Sequence, residues 1–186
     1  TNTELGAGDK IESVKVEGSQ TVVGTSDSVA SEAKIVNAAG EDVTSSYKIT
    51  YVKGELEVTQ KEITITADSA NKVYDGTALT KDSYTNTELA EGDKIDSVTV
   101  TGSQTIVGKS ANVPSEAKIV NAAGEDVTAS YKITYVNGEL EVTQKELTIT
   151  ANSDSKVYDG KALTNDGYTN TELGAGDKIE SVKVEG

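Results

Sequence analysis

Gly54–Ala67 reads GELEVTQKEITITA, and Gly138–Ala151 reads GELEVTQKELTITA, with Leu147 in the place of Ile63. Leu56, Val58, Ile63 and Ile65 alternate with polar residues on either side of a Thr-Gln-Lys break. Period-two alternation of this kind is the mark of half-buried β-strands. No internal Gly or Pro separates the two strands, so they meet with almost nothing between them. The break is read as the seam where one domain ends and the next begins. Function then belongs to an array of domains, not to a single residue.

Working outward from the seam, the whole chain repeats. TNTELGAGDKIESVKVEGSQTVVG begins at Thr1, returns as TNTELAEGDKIDSVTVTGSQTIVG at Thr85, and starts again at Thr169, a spacing of 84 residues each time. That period is too long for a solenoid turn and suits a small domain. With the seam as boundary, 61–144 is one complete repeat, 1–60 the C-terminal part of a repeat and 145–186 the N-terminal part of the next. Residues 1–18 and 169–186 are identical, whereas 85–102 differ from both at five places, among them Ala90, Glu91 and Asp96. Two readings stay open: the parent array alternates two variants in a 168-residue unit, or recently duplicated copies coincide.

Within 61–144 the pattern predicts about seven short strands. Glu62–Thr66 is the first. Lys72–Tyr74 is extended and turned by Asp75-Gly76. Thr77–Gly92 is irregular or carries one short strand. Lys94–Thr101 alternates with a break at Asp96-Ser97. Gln104–Val107 is a strand, and Gly108–Ser115 a loop holding Pro114. Ala117–Asn121 is a strand, Ala122–Glu125 a turn, and Val127–Val136 a long strand. Asn137-Gly138 suits a type I′ hairpin returning through Glu139–Thr143. Short strands with frequent turns predict an all-β fold of antiparallel, Ig-like β-sandwich repeats arranged in tandem as a rod. The core is thin and aliphatic, with Tyr74, Tyr84, Tyr131 and Tyr135 as its aromatic bulk.

Composition removes whole classes of chemistry. The chain has no Cys, His, Trp, Phe, Met or Arg, and its seventeen Lys face thirty-one acids for a net charge of −14. Thiol chemistry, disulfides and thiolate metal sites are out. The commonest general base and metal ligand is missing. A strongly acidic chain repels phosphate backbones, so no nucleic-acid partner is expected. No apolar run approaches a membrane span, so no membrane insertion is expected. No signal peptide is visible, and Thr1 lies inside a repeat. No cofactor, metal or catalytic residue is expected.

Lys72-Val-Tyr-Asp-Gly76 recurs as Lys156-Val-Tyr-Asp-Gly160. In the functional reading Tyr74 with Asp75, and Tyr158 with Asp159, form a ligand or calcium pocket, but calcium needs six or more oxygens. The favoured reading is structural: Tyr on the core edge, Asp capping the turn, Gly76 and Gly160 at positive φ. Gly124-Glu-Asp-Val-Thr128 is the next acidic cluster, read as solvated. Lys72, Asn121, Thr143 and Gln144 are the residue types of self-made isopeptide or ester bonds; no such bond is expected.

EITITADSANKVYDGTALT, followed by Tyr131-Lys-Ile-Thr-Tyr-Val-Asn-Gly138 and Glu139-Leu-Glu-Val-Thr143, resembles the MBG/YDG repeats of bacterial cell-surface, adhesin-like proteins. The resemblance spans the full 84-residue repeat and is tightest in the Lys-Val-Tyr-Asp-Gly block. It implies a β-rich extracellular module at the bacterial cell wall, with no catalytic residues to carry over. The expected function is a stalk or spacer holding an adhesive domain away from the cell. The alternative is a repeat that itself binds a host glycan or protein. Expected partners are neighbouring repeats of the same array. Head-to-tail strand complementation between copies is also expected, because 145–168 of one molecule supplies what 1–60 of another lacks.

Overall fold

The computed structural model describes residues 4–185. It is all-β, with no α-helix among the described residues. Twelve strands follow in order: β1 Lys10–Glu17, β2 Gly24–Val36, β3 Gly54–Val58, β4 Lys61–Ala67, β5 Ala70–Val73, β6 Tyr84–Asn86, β7 Lys94–Thr101, β8 Gly108–Val120, β9 Tyr131–Val136, β10 Gly138–Thr143, β11 Ile149–Ala151 and β12 Tyr168–Asn170. Val, Ile and Thr are the majority in β4 (KEITITA) and β7 (KIDSVTVT), as β-branched side chains suit a pleated, half-buried surface, whereas the two longest strands, β2 and β8, carry mostly small and polar residues. Two single-turn 3-10 helices, Thr44–Ser46 and Thr128–Ser130, lie in the connections β2–β3 and β8–β9.

The chain divides into two compact units, one of residues up to Lys61 with Ala129–Lys132, the other of Glu62–Thr128 and Ile133 onward. In the first, β1-β2-β3 form an antiparallel sheet. The remaining strands form sheets in the orders β6-β4-β9, β5-β10-β8-β7 and β11-β12. The largest fully buried side chains include Ile65 of β4, Ile119 of β8, and Leu140 and Val142 of β10. Burying such a side chain contributes roughly 1.5–3 kcal/mol, so these few aliphatic residues carry much of the stability of a small fold.

Several expectations change. β5 and β10 pair in parallel, Leu140 opposite Ala70 through Thr143 opposite Val73, so the fold is not purely antiparallel. Some sixty residues separate the two strands, long enough for the crossover a parallel pair requires. Asn137-Gly138 does not close a hairpin. β9 lies beside β4, β10 lies between β5 and β8, and neither residue takes a positive φ. The chain steps from one sheet to another there. Gly138 is needed for closeness: a Cβ on it would sit 2.4 Å from Asp68 O and 2.6 Å from Ala67 O.

Gly108–Ser115 is not a loop but the first half of β8, Pro114 included. A bulge explains why the pattern hid it. Buried positions are even-numbered at Asn112 and Pro114, then odd-numbered at Ala117 and Ile119. Between them Glu116 takes φ +52. The extra residue on β8 lies between the pairs Thr99–Ser115 and Ser97–Lys118. One bulged residue reverses the parity of every side chain beyond it. Pro114 is tolerated because β10 pairs with β8 only over Gly108–Asn112, leaving one side of the strand without a ladder beyond it. β2 repeats the arrangement with Glu32 at φ +51. Tyr135 Oη accepts the amide of Ala117 (2.9 Å), just past the bulge, and Tyr51 Oη accepts that of Ala33 (2.9 Å). Gln104 contributes only a two-bond bridge to Leu79 in place of a strand, and the Thr128–Ser130 turn shortens the expected Val127–Val136 strand to Tyr131–Val136.

Candidate functional site

The Lys-Val-Tyr-Asp-Gly turn is built almost entirely from its own residues. Lys72 Nζ donates to Asp75 Oδ1 (2.7 Å), Thr77 O (2.6 Å) and Thr77 Oγ1 (2.8 Å). Asp75 Oδ1 also accepts the Thr77 amide (2.8 Å), and Gly76 takes φ +84. The hydrogen bond from Lys72, helped by those from Thr77, holds the Asp75 carboxyl far below the ordinary carboxylate range. At the second copy Lys156 pairs with Asp159 (2.8 Å), the Lys161 amide donates to Asp159 Oδ1 (3.0 Å), and Gly160 takes φ +72. Asp159 is lowered chiefly by Lys156. The Asp75 carboxylate is engaged through Oδ1 by Lys72 and Thr77, and among the described residues no group of three or more carboxylates that could hold a metal ion is gathered.

The two tyrosines differ. Tyr158 is 93 % exposed. Tyr74 is half-buried: its amide donates to Thr143 O (2.8 Å), and its hydroxyl donates to Asp177 Oδ1 (3.2 Å), which raises its pKa. Asp177 closes the turn Gly174–Asp177, where its amide donates to Gly174 O (3.0 Å) and Gly176 takes φ +83. The same turn forms at Gly6–Asp9, with Asp9 N to Gly6 O at 2.9 Å and Gly8 at φ +85. There the occupant is Tyr47, whose hydroxyl accepts the Gly6 amide (2.8 Å) and donates to Asp9 Oδ2 (2.5 Å). The turn was not singled out from sequence as a site. Its signal, Gly-Ala-Gly-Asp at 6–9 and again at 174–177, with Ala-Glu-Gly-Asp at 90–93, reads as an ordinary turn until a tyrosine is seen in it. Around the later copy lies a cavity of about 150 Å3 lined by Tyr74, Lys145, Leu147, Leu173 and Asp177 among others.

The second acidic cluster is likewise used locally. Asn121 Oδ1 accepts the amides of Ala123 and Glu125 (3.0 Å each), and its Nδ2 donates to Glu125 Oε2 (2.8 Å). Asp126 Oδ1 accepts the Thr128 amide (2.9 Å), and hydrogen bonds from Thr128 lower its pKa. Thr128 Oγ1 accepts the Ile119 amide (2.8 Å). Asn37, Glu41, Asp42, Thr44 and Ile35 repeat this network bond for bond. Of the cross-link residues, Lys72 Nζ is taken by its own turn and Asn121 by another, and only Thr143 Oγ1 reaches Lys72, at its backbone oxygen (3.3 Å). No family model, curated protein or solved structure matches the chain.

Proposed function

We propose that the chain is a run of structural repeats from the stalk of a bacterial surface protein, cell-wall attached and extracellular, projecting an adhesive domain. On this reading it belongs with the MBG/YDG repeats. Each 84-residue repeat is an Ig-like β-sandwich carrying one parallel pair, with boundaries 1–60, 61–144 and 145–186, and the repeats stack in tandem as a rod.

The observation that supports this best is the bond-for-bond recurrence of the Asn121–Thr128 network at Asn37–Thr44, together with the Tyr135 and Tyr51 caps. Polar groups that a binding site would present are spent on turns. Four of the tyrosine hydroxyls, those of Tyr47, Tyr51, Tyr74 and Tyr135, engage partners within the chain. The complete repeat holds seven Lys and thirteen acids, a net charge of −6, which keeps a small domain soluble and discourages misfolding between near-identical neighbours. Only Thr59 and Gln60 separate β3 from β4, and Gln60 Nε2 donates to Ala129 O (3.0 Å) and Tyr131 O (3.4 Å). A joint this short has few free dihedrals.

Small-angle scattering tests the reading. An elongated particle fitted by one conformation or a narrow family is expected, and insertion of several Gly after Gln60 broadens it without unfolding. A requirement for widely bent shapes counts against a stalk. A parallel screen against glycans and host proteins is expected to be blank; a saturable ligand moves the function to the alternative, an adhesive repeat.

A further inference from the structure

Asn137-Gly138 is the one Asn-Gly pair in the chain, and it makes the step from β9 in one sheet to β10 in another. Asn137 is the only residue between the two strands. It is exposed, and its carboxamide makes no hydrogen bond among the described residues. Gly138 is half-buried and held on both sides. It lies opposite Asn112 in the β10–β8 ladder, and the next amide, that of Glu139, donates to Ser69 Oγ (2.9 Å). A Cβ on Gly138 would sit 2.4 Å from Asp68 O, and that same oxygen accepts Asn112 Nδ2 (2.9 Å). Just beyond, Leu140 is fully buried and Val142 nearly so.

An Asn followed by Gly carries a reaction of its own. The Gly amide nitrogen attacks the Asn carboxamide carbon, a C–N bond closes a succinimide ring, and the displaced nitrogen leaves as ammonia with the amide proton. Water then opens the ring at either carbonyl. One opening gives Asp. The other gives isoaspartate, in which the main chain runs through the former side chain and is one atom longer. The net change is ammonia out and water in, with no oxidant, reductant or second protein required. Gly suits the attack because no Cβ crowds its nitrogen.

At this step the fold both restrains the reaction and is damaged by its product. Attack needs the Gly138 nitrogen to swing out of the strand onto the Asn137 carboxamide. The pairing with Asn112 and the bond to Ser69 hold that stretch of backbone in place, so cyclisation waits on local opening. Once isoaspartate has formed, the extra main-chain atom falls beside the glycine that already crowds Asp68. No loop lies between β9 and β10 to absorb it, and the register of β10 is what places Leu140 and Val142 in the core.

We propose that Asn137-Gly138 is a self-modification site, protected while the repeat is folded and converted to isoaspartate when the step opens, so that a repeat once unfolded cannot refold as it was. The preceding copy carries Lys53-Gly54 at the same place and lacks this chemistry. The inference goes beyond the stalk reading and does not depend on it; in a stalk, tension is what opens the step.

Incubation of the intact chain at mildly alkaline pH, folded and in guanidinium chloride, tests it. Peptide mapping reads the exchange of ammonia for water, and enzymatic methylation marks isoaspartate. Asn137 is expected to convert at least about tenfold more slowly in the folded chain, because a ladder-held backbone reacts only through its small open fraction. Equal rates overturn the protection. The isoaspartate form, separated after conversion, is then returned to native buffer beside Asn137→Asp, which carries the new charge on a main chain of ordinary length. Asn137→Asp is expected to refold and melt close to the native chain, and the isoaspartate form to melt at least about 5 °C lower or not to refold. An isoaspartate form that melts with Asn137→Asp overturns the proposal. So does an Asn137→Asp chain as damaged as the isoaspartate form, since the charge alone then suffices. Asn137→Lys, the preceding copy's residue, is expected to refold after the same time in denaturant; its failure would place the damage elsewhere in the chain and likewise overturn the proposal.

Discussion

Asn112 has no exposed surface, and it is the buried polar side chain of the core among the described residues. Its Nδ2 donates to Asp68 O (2.9 Å) and Lys81 O (2.7 Å), tying the end of β4 to the loop before β6. Nothing in the repeat pattern marks it, because the corresponding residue of the preceding copy is Ser28. Asn112→Ala strands two carbonyls and is expected to cost about 1–3 kcal/mol, the usual penalty for buried groups left unpaired; urea denaturation with an unchanged m-value measures it. Asp75 makes a pH prediction. Its carboxyl is depressed in the folded state by the hydrogen bond from Lys72, so its contribution is present above the unfolded carboxylate range and is lost as pH falls through the lower folded value. Asp75→Asn is therefore expected to lower the melting temperature at pH 7. The gap to the native chain should close progressively as pH falls below about 4. A gap that persists undiminished at pH 2 assigns the effect to something other than the charge. The Asp-Gly turns were legible from sequence because each is completed within a few residues of itself: the lysine three positions earlier and the amide two positions later suffice at 75 and at 159 alike.

At the scale of elements, position along the repeat does not settle environment. Gly54 and Gly138 occupy the same place in the repeat. A Cβ on Gly54 meets nothing nearer than 3.6 Å, whereas one on Gly138 would lie 2.4 Å from Asp68 O. Gly54→Ala is expected to change stability by less than about 1 kcal/mol, while Gly138→Ala is expected to cost about 1–3 kcal/mol, the range for forcing backbone apart in a packed site. Thermal melts of the two single variants decide it, and equal effects would contradict the close approach. The strands that sequence located well were β4, β7 and β10, and β7 keeps its expected bounds Lys94–Thr101 through the break at Asp96-Ser97. β8 was cut in two because its bulge at Glu116 reverses the inward parity in mid-strand, and a reader of period two sees the reversal as an end. The Asn137-Gly138 signal misled for another reason. Asn-Gly is also a good step between sheets when glycine is required for closeness, and turn propensity cannot tell the two uses apart.

At the scale of the whole molecule, a covalent cross-link is not expected, since Lys72 and Asn121 are held in separate turns by their own neighbours. The intact mass should equal that of the sequence. A deficit of one ammonia or one water per repeat would establish an isopeptide or ester bond instead. Head-to-tail complementation between copies remains our proposal for the two outer pieces, and light scattering across a concentration series checks it: open chains or rings grow with concentration, and a constant mass removes it. The identical stretches show how far sequence alone reaches. Lys10–Glu17 is an eight-residue strand paired with β2, yet the same letters from Lys178 form no strand. Ile63 and Ile65 are buried in β4, while Leu147 and Ile149, in the same places of the next repeat, are 45 % and 44 % exposed. The 84-residue period, the acidic surface, the alternation of strand faces and the self-contained Asp-Gly turns are properties of the letters, because charge, side-chain volume and short-range hydrogen bonds need no distant partner. Which alternating stretch becomes a strand, which apolar face is covered, and which tyrosine enters which turn were decided only by the tertiary structure. A ladder needs a second strand for its backbone groups, and an apolar side chain is buried only by what packs over it.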